Sequence, residues 1–190
     1  LTLSGTATAT TGANLAVSGN LDVGSGTNFT TGAFTLGVTG TTSVTGTLTL
    51  ANTNTKTFTG NVTINSGGVW NETGNASINY AGDLQHNGTT FTANAGTHTF
   101  SGTGKTISGS SAIAIPSVTI SGTTTNTATL TISTTLAGAS TLTNGNGTIG
   151  TLNFGGSSIT PTLVASAANN TVNYNGTAQT VKITTYHDLI

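Results

Sequence analysis

A short phrase that opens on a small residue recurs along this chain at nearly constant spacing. It reads Gly19-Asn20-Leu21-Asp22-Val23, Gly40-Thr41-Thr42-Ser43-Val44, Gly60-Asn61-Val62-Thr63-Ile64 and Gly82-Asp83-Leu84-Gln85-His86. More degenerate copies begin at Gly104, Thr125, Gly147 and Asn169, and the steps between anchors run from about 20 to about 22 residues. A period this even predicts one supersecondary unit stacked on itself, because a single such unit cannot bury its own apolar side.

The residues around each Gly say what the unit is. Two and four places after it stand Leu21, Thr42, Val62, Leu84 and Val23, Val44, Ile64, His86. Two and four places before it stand Val17, Val38, Phe58, Tyr80 and Leu15, Leu36, Lys56, Ile78. Residues two apart on a strand share a face, so these columns predict two short strands per coil with inward positions stacked rung over rung. A third apolar run, such as Thr47-Leu48-Thr49-Leu50 or Val69-Trp70, lies between them. The expected fold is all-β: a parallel β-solenoid, a right-handed β-helix, with about nine coils of about 21 residues. Gly19, Gly40, Gly60, Gly82, Gly104 and Gly147 are the expected corners, chosen for tolerance of positive φ. Leu21, Val23, Val38, Val44, Phe58, Val62, Ile64, Ile78, Tyr80 and Leu84 are the expected core stack. In the later coils Ile107, Ala128 with Leu130, and Val172 with Tyr174 sit at odd offsets, which suggests corners that gain or lose one residue. Pro116 and Pro161 belong at corners or strand starts, since Pro cannot donate to a ladder.

Composition agrees with strands. Thr makes up about a quarter of the residues, and the strong helix formers are nearly absent. Near-neutrality and alternating apolar positions speak against disorder. The formal net charge is −1, and Lys56, Lys105 and Lys182 are far apart, so no nucleic-acid partner is expected. No apolar run approaches a membrane span, so no membrane insertion is expected. The chain has no Cys, so stability must come from repetition rather than disulfides.

The chain opens mid-pattern, without Met, at Leu1-Thr2-Leu3 and finishes Tyr186-His187-Asp188-Leu189-Ile190. Joined tail to head, these make one strand-like phrase. The expectation is a single solenoid segment spanning residues 1–190, an excerpt that forms one period of a longer tandem array or a head-to-tail stacking unit. Leu1, Leu3, Leu189 and Ile190 would form its axial interface, and copies of itself would be its partners, along the axis and, as a second mode, sideways.

Phrases such as Asn170-Thr171-Val172-Asn173-Tyr174-Asn175-Gly176-Thr177-Ala178-Gln179-Thr180-Val181-Lys182, Gly60-Asn61-Val62-Thr63-Ile64 and Ser101-Gly102-Thr103-Gly104-Lys105 resemble the repeats of large bacterial β-strand-repeat surface proteins. That group is similar to autotransporter passengers and filamentous-haemagglutinin-type adhesins. The resemblance implies an extracellular, cell-surface stalk, adhesin or fibre, and it carries over no functional residue.

Candidate chemistry is sparse. Asp22, Glu72, Asp83 and Asp188 form no convincing pair, and there is no Arg, so an enzyme is not expected. His86, His98 and His187 read as scattered strand residues rather than metal ligands, and no cofactor is expected. Trp70, Tyr80, Phe91 and Phe100 suit core stacking better than a sugar platform. An isopeptide link from Lys56 or Lys105 to an Asn beside Glu72 is a remote alternative. The reading is a structural fibre or stalk segment. The alternative is an ice-binding or glycan-binding adhesin: Thr53, Thr55, Thr57 and Thr59 suggest hydroxyl arrays, although their columns break at Gly37 and Asn79.

Overall fold

The computed structural model describes residues 1–190 and contains strands and corners without a helix. The chain winds as a parallel β-solenoid of about nine turns of roughly 20 residues. A typical coil carries three short strands, one on each of three faces. The first face is a nine-stranded sheet from Thr2–Leu3 to Thr162–Val164. The third is a seven-stranded sheet from Leu15–Val17 to Thr135–Gly138. The second is split: five strands run from Thr8–Thr10 to Thr90–Thr92, and five more from Ile113–Ala114 to Asp188–Leu189.

Alternation decides which side chains go inside. In Leu21–Val23, Val62–Ile64 and Lys56–Phe58 the outer two residues are buried and the middle one half-buried. Leu21, Thr42, Val62 and Leu84 stack in register, and so do Val23, Val44, Ile64 and His86. On the third face Leu15, Leu36, Lys56 and Ile78 form one column, and Val17, Val38, Phe58 and Tyr80 the next. The inward residues of all three faces meet in one core cluster of 34 side chains, which includes the ten core residues named above. β-Branched and aromatic residues fit these half-buried pleats, which is why the chain avoids helix despite its short strands.

The corner glycines are there for a different reason from the one expected. Gly19, Gly40, Gly60 and Gly82 do stack, but none has positive φ. Their value is space: a Cβ on Gly40 would lie 2.6 Å from the Gly19 carbonyl carbon, and one on Gly60 or Gly82 would lie 2.3 or 2.4 Å from the carbonyl oxygen one coil back. Gly104 is not in this column. The register Tyr80–Phe100–Ile120 carries the column on to Gly102 and Gly122 instead. Gly104 makes a left-handed turn two residues later (φ 68°), and Gly147 (φ 92°) lies in the turn that leads into the second-face strand Gly150–Phe154. Both point into open space. The residue after three of these glycines also has a task. Asn20 Oδ1 accepts from Thr41 N at 2.9 Å, Asn61 Oδ1 from Asp83 N at 3.0 Å, and Asp83 Oδ1 from Thr106 N at 2.8 Å. At Gly19, Gly60 and Gly82 a short polar side chain thus ties the corner to the coil ahead.

The slip in the later coils is larger than one residue. Leu84 pairs with Ile107, Ile107 with Asn126, and Asn126 with Asn144, so consecutive coils take 23, 19 and 18 residues. The long and short coils offset one another, so the sequence period stays even while its phrase passes from the first face to the second. Leu130 and the Val172–Tyr174 pair are second-face residues, and Ala128 immediately precedes that strand. The long coil also breaks the second face. Ser108 to Ala112 fold over His86, with Ser111 N donating to His86 O at 3.1 Å and Gly109 at φ 128°, where a Cβ would lie 2.0 Å from that same oxygen. Pro116 and Pro161 immediately precede the strands Ser117–Ile120 and Thr162–Val164. In the later coils Asn126 and Asn144, both fully buried, form an internal amide ladder: Asn126 Nδ2 donates to Asn144 Oδ1 at 2.8 Å, and Asn144 Nδ2 donates to Thr171 O at 2.9 Å.

Candidate functional site

The densest polar constellation lies inside the solenoid. Glu72 ends the strand Val69–Glu72, where alternation turns it inward beside Trp70. His98 lies inward on Thr97–Phe100, in register with Ile78 and Lys56. The two side chains are fully buried and in contact, with His98 Nε2 2.9 Å from Glu72 Oε1 and 3.1 Å from Oε2. Trp70 Nε1 donates to Oε1 at 2.9 Å and Asn94 N to Oε2 at 3.1 Å. His98 Nδ1 lies 3.0 Å from the Gly96 carbonyl, which only accepts, so Nδ1 carries a proton. The Nε2–carboxyl contact must then hold one more proton, on one side or the other. The pair is neutral as a unit, which is what makes its burial tolerable.

Aromatic rings wall this pair. Trp70 packs against Phe58, Tyr80 and Phe91 with centroids 5.3, 6.0 and 5.8 Å away, and Tyr80 stacks on Phe100 at 5.1 Å. Trp70, Tyr80 and Phe100 are therefore core and offer no sugar platform; Phe91 is half-buried. The Tyr80 hydroxyl is buried without a partner. Burial, with the Glu72 charge adding, pushes its pKa well above the ordinary tyrosine range.

Lys56 is fully buried too, and its ammonium donates to the carbonyls of Phe34, Ala51 and Asn54 at 2.9, 3.1 and 2.6 Å. Burial pulls its pKa down. Glu72 is engaged with Trp70, Asn94 and His98, and Lys56 with backbone, so no isopeptide geometry is formed at Lys56.

The remaining acids are dispersed. Asp22 lies on the first face and Asp83 just before the first-face strand Leu84–His86, three coils further along. Asp83 borders a shallow polar depression with Asn61, Thr63, Gln85, Thr106 and Ser108. Asp188 is exposed on the last strand, 3.2 Å from His187. No three His, Asp or Glu side chains converge. Of the expected axial residues, Leu3 is buried, while Leu1, Leu189 and Ile190 are 50%, 48% and 72% exposed.

His86 is buried on the first face, with Gly88 N donating to its Nδ1 at 3.3 Å. Burial lowers its pKa from 6.5. The folded chain therefore binds fewer protons than the unfolded chain between that lowered value and 6.5, and stability rises with pH across the interval. Urea midpoints measured as pH falls below 6.5 should decline in the native chain, and His86→Leu should flatten part of that decline.

The sequence columns put Lys56 and Ile78 in one inward file without extending it to His98, and they leave Glu72 among acids that form no pair. Both were recoverable: the column step reaches His98, and alternation from inward Trp70 reaches Glu72. No family model, curated protein or solved structure matches this chain.

Proposed function

We propose that this chain is a structural segment of an extracellular bacterial fibre, stalk or adhesin shaft, whose coils continue end to end by strand stacking. The observation that carries the reading is directional. All strand pairings run between successive coils, and one unbroken core of 34 side chains runs through them. Tension along the axis is thus borne by ladders of backbone hydrogen bonds on three faces, the second of them interrupted once. The exposed Leu1, Leu189 and Ile190 supply apolar surface that a further coil would cover, and the outermost strands can hydrogen-bond it. The cell-surface location rests on the resemblance to bacterial surface repeats.

Two copies joined in tandem should appear by negative-stain electron microscopy as one straight rod, with about 43 Å of axis added per nine coils at the usual strand spacing. Two bodies hinged at the junction would overturn the reading. Single chains should associate lengthwise at high concentration, and Leu189→Pro should weaken that association in sedimentation velocity.

A further inference from the structure

Seven of the ten outward positions on the first five rungs of the second face are Thr, an array that the sequence period conceals. Its two outward columns read Thr8 and Thr10, Asn28 and Thr30, Thr47 and Thr49, Val69 and Asn71, Thr90 and Thr92 over the first five rungs. Beyond the break Ala114 precedes Thr131 in its column, the next rungs read Thr129 and Thr131, Thr151 and Asn153, Thr171 and Asn173, and Asp188 follows Thr171. The Thr-rich run noticed in the sequence, by contrast, belongs to the third face, where Gly37 and Asn79 flank Thr57 in one column.

Three properties define what this face can bind. Its first five rungs are uncharged: Asp22, Asp83 and Lys105 lie on the first face, Lys56 and Glu72 are buried, and Asp188 stands in an outward column only at the last rung, beside Thr171. Its partner is therefore neutral. Its groups repeat in two dimensions, at about 4.8 Å along the axis and about 6.7 Å along each strand, and Thr holds its hydroxyl in few rotamers. Its partner is therefore periodic. Finally, its hydroxyls are available. Asn153 Nδ2 donates to Thr131 Oγ1 at 3.2 Å in the later rungs, but no such bond ties up the Thr hydroxyls of the first five. A hydroxyl both donates and accepts, so the partner must do both at every lattice point.

We propose that the first five rungs of the second face, centred on Thr30 and Thr49, are an ice-binding plane. Ordered water satisfies all three conditions at once: it is neutral, it repeats, and each molecule donates and accepts. Thr methyl groups between the hydroxyls leave the first water layer few competing orientations. This function is separate from load-bearing along the axis and does not depend on it.

The test uses the intact chain. Thermal hysteresis and inhibition of ice recrystallisation should be measured for the native protein, for Thr30→Tyr and Thr49→Tyr on the second face, and for Ser43→Tyr on the first, with circular dichroism confirming the fold of each. The expected result is activity in the native chain, at least a tenfold loss in the two second-face variants, and retention in Ser43→Tyr. A folded native chain without hysteresis overturns the proposal. So does equal loss in Ser43→Tyr, or adsorption to microcrystalline cellulose without any effect on ice. Rod length in the tandem experiment is read independently, so either conclusion can fail alone.

Discussion

Replacing either Glu72 or His98 with Leu should cost about 3–5 kcal/mol of unfolding free energy, among the largest single-site effects in this chain. Each change strands a buried partner. His98→Leu leaves the carboxylate with Trp70 Nε1 and Asn94 N alone, and Glu72→Leu leaves His98 Nε2, Trp70 Nε1 and Asn94 N without an acceptor. Neither site has access to water that could compensate, because both side chains are fully buried. The double variant removes both partners together, so it should be no worse than the poorer single variant, and the losses should be strongly non-additive. Urea unfolding followed by far-ultraviolet circular dichroism gives all three values. Additive losses would mean that the two groups act separately and that the shared-proton pair is wrong.

The second large effect is at the stacked glycines. Gly60→Ala should cost about 3 kcal/mol, the upper end of overpacking. Its Cβ would lie 2.3 Å from Gly40 O, 2.6 Å from Gly40 C and 2.9 Å from Thr41 N, all of them backbone atoms that cannot swing away. The coils must spread at that corner, which strains the ladders on both adjoining faces. Gly104→Ala is the natural comparison. There the space is open and the penalty is conformational, about 1–2 kcal/mol for a Cβ in the left-handed region. If the two variants lost the same amount, the corner column would not be set by close approach.

The first four coils could be read almost residue by residue, because there the coil length is nearly constant and the phrase stays on one face. Leu21, Val62 and Leu84 share a register in sequence and in space. After Leu84 the period remains even but no longer tracks one column, since a 23-residue coil is followed by shorter ones. Spacing alone cannot distinguish a corner that has lengthened from a phrase that has moved to the next strand. The same ambiguity groups Gly104 and Gly147 with the earlier corner glycines; both do lie in turns with positive φ, but Gly102 and Gly122 are the ones that continue the stack. The polar core was hidden for another reason. Glu72 and Lys56 look like surface residues by type, and only the partners brought to them by the winding (His98 and three carbonyls) make their burial affordable.

The interruption between Thr92 and Ile113 has a mechanical corollary. Two of the three walls pass this level intact while the other is cut, as in a beam notched along one side. Bending that opens or closes the notch meets less resistance than bending in the plane of the intact walls. The solenoid therefore has a built-in direction of compliance about halfway along its length.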